Sequence, residues 1–220
     1  MSPLEWAVVI TGIVAVGLTV RQHVWNWPVG IVNSAVMLVL AVQNKLYADG
    51  GLQVVYVVLG CYGWWHWLYG DPRAKDSLPV TRTPKVEGLI VAVASVAGYV
   101  ALGLLLDHAT DTDVPFFDAF PTVASLLAQY LLTRKYLLTW AVWIFFVNVP
   151  YVALYLAKDL RLLALLQPLY IALSVWGWVD WRRSRLASLA DDVEHTEPAE
   201  PAEPAEPAGI WRQPSPEPGR

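Results

Sequence analysis

Side-chain amides recur at matched places in two apolar stretches of this 220-residue chain, each beside tryptophan and tyrosine. Gln53-x2-Tyr56-x5-Tyr62-Gly63-Trp64-x2-Trp67 returns 114 positions on as Gln167-x2-Tyr170-x5-Trp176-Gly177-Trp178-x2-Trp181. Upstream, Trp25-x7-Asn33 returns 115 positions on as Trp140-x7-Asn148. Amides donate and accept hydrogen bonds, and Gln with Tyr at i, i+3 can grip hydroxyls or another amide. In hydrocarbon an unbonded amide costs a few kcal/mol. Such groups therefore serve either as bonds between helices, at about 0.6–2 kcal/mol each, or as contacts for a polar ligand. Matched placement in both copies favours the ligand reading for Asn148, Asn33, Gln53 and Gln167, with Tyr56 and Tyr170 one turn deeper than the glutamines.

Trp140, Trp143 and Asn148 fall within a fan of about 140° on one helix, with about 12 Å of rise between Trp140 and Asn148. That fan can line a cavity with an aromatic wall and an amide. Pro150 cannot donate to the Phe146 carbonyl, and Pro168 leaves the Ala164 carbonyl without its donor, so kinks are expected at both. Pro28 stands where the second copy has Trp143, which predicts unequal halves and an asymmetric ligand. Glycines 63 and 177 predict close helix approach. Trp65, Trp67 and Trp181 are expected in the interfacial tryptophan belt.

No Asp, Glu, Lys or Arg falls in the middle of an apolar stretch; Glu5, Asp118 and Asp180 lie near ends. Ion-coupled carriers and pumps rely on such groups, so the pattern points to uncoupled transport. The last stretch has no lysine for a retinal Schiff base, and no catalytic pair is visible, so an enzyme is not expected. Cys61, the sole cysteine, excludes an internal disulfide and a cysteine metal cluster.

The elements that position these groups are long helices. Hydrophobic residues make up 56% and charged residues 15%, with mean hydropathy +0.42. Seven apolar segments, at about 4–20, 24–42, 51–69, 87–106, 116–133, 137–157 and 161–179, are long enough to cross about 30 Å of hydrocarbon. The predicted fold class is an all-α membrane protein of seven transmembrane helices. A first three-helix repeat covers 4–69, a cytoplasmic linker 70–86, a linker helix 87–106 and a second repeat 116–181. Three spans plus one linker span make the repeats parallel, a 3+1+3 arrangement.

Ten basic residues between spans lie on one side (Arg21, Arg73, Lys75, Arg82, Lys85, Arg134, Lys135, Arg182, Arg183 and Arg185) and three on the other. The positive-inside rule then puts the N-terminus outside and the C-terminus in the cytoplasm. The N-terminus lacks a basic n-region and a cleavage site, so the first helix is expected to persist. Residues 186–220, ending in Glu-Pro-Ala triplets, read as a disordered acidic, Pro-rich cytoplasmic tail.

Gly51-Leu52-Gln53-x2-Tyr56 leading to Tyr62-Gly63-Trp64-Trp65-x-Trp67, with Trp140-x2-Trp143-x4-Asn148, resembles the PnuC family of nicotinamide riboside transporters across about residues 4–185. The resemblance implies a fold similar to SWEET sugar transporters. It also implies facilitated diffusion of unphosphorylated nicotinamide riboside across the inner (plasma) membrane, with trapping by a cytoplasmic riboside kinase. Related family members take thiamine and other vitamins. The partners expected are nicotinamide riboside, the lipid bilayer, that kinase in function and, as an option, further copies of the chain. Neither nucleic acid nor a cofactor is expected. A seven-helix sensor that recruits a partner through its tail, and a membrane scaffold whose amides are glue alone, are the rival readings.

Overall fold

The computed structural model describes residues 3–43, 47–70, 78–110, 114–157 and 161–196. Seven helices run through them: α1 Pro3–Val20, α2 Asn26–Gln43, α3 Tyr47–Tyr69, α4 Lys85–Ala109, α5 Pro115–Thr133, α6 Leu138–Ala157 and α7 Arg161–Thr196. There is no strand among the described residues, only an isolated bridge between Thr81 and Tyr136. By length and composition alone, α1, α2, α4 and α6 are apolar enough to cross a membrane. The others fall short because polar residues such as Gln53, Ser125 and Gln167 are buried on their inner faces.

Proline opens α1 and α5, where its missing N–H is not needed. Both helices end alike. Gln22 and Lys135 adopt left-handed backbone, with φ 54° and 55°. His23 N–H then reaches Leu18 O at 2.9 Å and Tyr136 N–H reaches Leu131 O at 3.0 Å. Gln22 and Lys135 close the inner rung on Thr19 O and Leu132 O, each at 2.9 Å. This is the Schellman arrangement, built twice without glycine.

Within α6, residues Trp143–Asn148 are wound as a π-helix, and Val149 N–H bonds Ile144 O five residues back. Pro150 follows at once and has no N–H to continue the α-helical ladder, which favours the wider turn here. The kink expected from Pro150 is therefore a π segment, which takes up one extra residue.

Small residues set the helix spacing. Side chains reach the places where a Cβ would stand at Gly60 (Ile31) and Gly50 (Leu38), and these bring α2 onto α3. Gly103 admits the Phe116 ring, so α4 lies close on α5. The opposite face of α4 is exposed at Val86, Leu89, Val93 and Val96, as suits a lipid-facing helix. At its first turn Glu87 accepts from the Tyr130 hydroxyl at 2.7 Å and the Tyr136 hydroxyl, with Arg134 Nε at 3.3 Å. That cluster ties α4 to the α5–α6 turn.

The last helix differs from expectation. It runs on to Thr196, so residues 186–196, assigned by composition to the tail, are helical. The run Arg182–Ala190 is rich in Arg, Leu and Ala, which favour a helix even where the chain is no longer apolar. The remainder of the tail, 197–220, lies outside the described residues, as do residues 71–77 of the expected linker.

Lys135 is 1% exposed and its ammonium lies 4.7 Å from the Trp67 ring centroid. Burial pulls its pKa down from the ordinary lysine range to about 8. Between about pH 8 and the unfolded value of about 10.4, the unfolded chain binds more protons, so stability rises with pH across that window. Lys135→Met is expected to flatten this rise in thermal unfolding of the detergent-solubilised protein at about pH 8 and about pH 10. A variant keeping the parent's slope would mean that another group is responsible.

Candidate substrate-binding site

A cavity of about 360 Å³ lies among the helices, within the size range of small-molecule sites. Among the described residues, no charged side chain lines it. Every residue singled out from the sequence as a ligand contact is in its wall: Asn33, Gln53, Tyr56, Trp140, Trp143, Asn148, Gln167 and Tyr170. They are not in equivalent states. Gln53, Gln167 and Asn148 are buried, and the two glutamine amides have no hydrogen-bond partner among the described residues. Asn148 Nδ2 makes only a long contact of 3.5 Å to Ser174 Oγ. Asn33 instead donates to Val8 O at 2.7 Å and Thr11 Oγ1 at 2.8 Å, bonding α2 to α1 with both amide hydrogens. Tyr56 bonds the Ser125 hydroxyl.

Four tryptophans close the floor of the cavity, at the end bearing the α1–α2 and α5–α6 turns. Trp27 and Trp140 line it from above. Trp27 meets Trp67 nearly at right angles with centroids 5.4 Å apart, and Trp140 meets Trp181 likewise at 5.3 Å. Trp67 and Trp181 are 6.0 Å from one another. The indole N–H of Trp67 donates to Leu132 O and that of Trp181 to Thr19 O, both at 3.1 Å. Each third helix of the two sequence copies thus gives a second donor to a carbonyl at the end of the other copy's first helix, already bonded once within its Schellman turn.

This geometry corrects two expectations. Trp67 and Trp181 are not interfacial: they are 2% and 0% exposed and form the core, whereas Trp65 is exposed as a belt residue would be. Trp25 is not the counterpart of Trp140 either, being 60% exposed while Trp27 is 2% exposed. Trp27 fills the space left by Gly63 as Trp140 fills that left by Gly177; a Cβ at either glycine would overlap the ring. The shared Trp-x7-Asn spacing hid this, because the π segment inserts a residue between Trp140 and Asn148. With Trp27 matched to Trp140, Gly30 rather than Pro28 corresponds to Trp143. Past the insertion, Ser34 corresponds to Asn148.

Sequence reasoning missed Gln129, Tyr151, Tyr155 and Ser174, which also line the cavity. The two tyrosines stack with centroids 5.1 Å apart. Their signal was present: Tyr151 and Tyr155 lie three and seven residues beyond Asn148, on its face of the helix. The result is one polar, aromatic wall (Gln129, Trp143, Asn148, Tyr151, Ser174) facing small or apolar residues at the corresponding places: Val16, Gly30, Ser34, Met37 and Gly60. Such a site can hold a flat ring against an indole and bond polar substituents through amides, without a fixed charge.

Residues 2–183 match the nicotinamide mononucleotide transporter family. The chain is 30% identical over 175 residues to the riboflavin/roseoflavin transporter RibM of Streptomyces davaonensis, covering 78% of this chain and 81% of that protein. It is 24% identical over 189 residues to the nicotinamide riboside transporter PnuC of Escherichia coli, covering 75% and 79%. A crystal structure of the vitamin B3 transporter PnuC superimposes with a TM-score of 0.67 at 24% identity, covering 84% of this chain and 82% of that one. Its fold is therefore that of the PnuC transporter structure. The chain is a multi-pass membrane protein and belongs to the nicotinamide mononucleotide transporter family.

Proposed function

We propose that this protein carries nicotinamide riboside across the inner (plasma) membrane by facilitated diffusion. The observation that carries the reading is the uncharged cavity with one indole-and-amide wall. A pyridinium ring suits the Trp143 face, where cation–π attraction contributes about 0.5–2 kcal/mol. Ribose hydroxyls and the carboxamide suit Asn148, Gln53, Gln167 and Tyr170, over the floor made by Trp140. Tyr56 and Asn33, which face the same cavity, have their donors engaged by Ser125 and by α1. Among the described residues no Asp, Glu, His, Lys or Arg lines the cavity, which supports uniport, since no such group there would couple substrate to an ion. A cytoplasmic riboside kinase would then make uptake one-way.

The reciprocal tryptophan bonds support two parallel three-helix units joined by α4, with the tryptophan floor on the cytoplasmic side that the basic residues predict. Riboflavin is a second reading, favoured by the 30% identity to RibM; a flavin also pairs a flat ring with a hydroxylated chain. The test is counterflow of labelled nicotinamide riboside, riboflavin and thiamine in proteoliposomes. Nicotinamide riboside is expected to exchange, insensitive to protonophore and to sodium replacement, and only to equilibrate. Accumulation above the external concentration in vesicles without a kinase would overturn uniport. Exchange of riboflavin alone would assign the second reading.

A further inference from the structure

Tyr56 and Tyr170 occupy corresponding places on α3 and α7, yet their hydroxyls meet different groups. Ser125 Oγ–H donates to Thr122 O at 2.7 Å. With its one hydrogen engaged, Ser125 can only accept from Tyr56, so the Tyr56 hydrogen is engaged as well. The offset that relates Thr19 to Leu132 and Trp27 to Trp140 relates Ser125 to Gly12. A Cβ at Gly12 would stand 3.0 Å from the Tyr170 hydroxyl oxygen. The backbone thus brings Tyr170 to the place where Tyr56 finds a serine, but supplies no hydroxyl. The next polar atom there, Asn33 Nδ2, lies 3.6 Å from the same point and already gives both hydrogens to α1. Among the described residues the Tyr170 hydroxyl has no hydrogen-bond partner, and both Tyr170 and Gly12 line the cavity.

We propose that Gly12 is a specificity-determining residue: by withholding the serine present at position 125, it leaves the Tyr170 hydroxyl to bond an oxygen on the hydroxylated chain of the substrate. This rests on the reading that the cavity takes a ring carrying such a chain. Either candidate, the riboside or the flavin, supplies that chemistry.

The geometric half is tested without ligand, by thermal unfolding of the detergent-solubilised protein. Tyr56→Phe is expected to lower the midpoint by removing a made bond, and Tyr170→Phe to leave it near the parent value. An equal loss in both would show that the Tyr170 hydroxyl is already bonded and would overturn the proposal. The ligand half uses calorimetric titration with whichever of nicotinamide riboside and riboflavin the parent exchanges, against the chain-less rings nicotinamide and lumichrome. Tyr170→Phe is expected to weaken the chain-bearing ligand about tenfold and to leave the bare ring unchanged. Gly12→Ser, which offers Tyr170 the partner that Tyr56 has, is expected to do the same. The double variant should be no weaker than either single one, because both remove one interaction. Additive losses, or an equal loss for the bare ring, would mean that Gly12 acts through cavity shape alone and overturn the assignment. If the parent exchanges neither ligand, the transport reading fails instead, and the unfolding comparison still judges the state of the hydroxyl.

Discussion

Alanine at position 181 is expected to destabilise the protein by about 3–5 kcal/mol, the largest effect of any single truncation considered. Trp181 is 0% exposed, lies between Trp67 and Trp140, and donates to Thr19 O at 3.1 Å. Removing it opens a cavity bordered by rings on two sides and takes away one of the two donors to the Thr19 carbonyl, which keeps the Gln22 N–H. Neighbouring Gly177 and Trp140 are already in contact and cannot slide together to refill the space. Trp65→Ala, at a 56% exposed site, is the comparison and should cost far less. Thermal unfolding in detergent measures both. Similar losses in the two variants would place Trp181 at the periphery after all and break the account of the cavity floor.

Asn148→Leu is expected to weaken binding of nicotinamide riboside about five- to 150-fold, the range set by losing a buried hydrogen bond of about 1–3 kcal/mol. The variant keeps approximate volume while removing donor and acceptor. Because Asn148 contacts Ser174 only at 3.5 Å, little is lost within the protein itself. Trp143→Ala should also weaken binding and Trp143→Phe retain part of it, since a smaller ring still offers a face. Asn33→Leu should behave differently. Its two donors hold α1, so stability should fall before affinity does. Calorimetric titration of folded variants separates these cases, and parent-like binding by Asn148→Leu would remove it from the site.

Much of the architecture could be read from the chain. The expected helices at 4–20, 116–133 and 137–157 lie within a residue or so of Pro3–Val20, Pro115–Thr133 and Leu138–Ala157. Apolar length and terminal prolines set such limits locally. The end of α7 was less legible, because a charged amphiphilic run can be helix or tail depending on what it meets. The amides that line the cavity were also visible, since an amide in an apolar helix needs a partner wherever it lies.

What the linear chain determined by itself was therefore the class of protein, its repeated motif and the residue types of its cavity: these depend on hydropathy and on the cost of burying polar groups. What only the tertiary structure decided was which member of each matched pair does what. Trp25 and Trp27 are alike in hydropathy, and only the space beside Gly63 selects Trp27 for the floor. Asn33 and Asn148 share a spacing from a tryptophan, but the π segment ahead of Pro150 rotates Asn148 into register with Ser34. Tyr56 and Tyr170 share a motif, and the groups opposite them, Ser125 and Gly12, come from helices distant in sequence. Side-chain role follows from the partner across the gap, and that partner is brought there by helix packing.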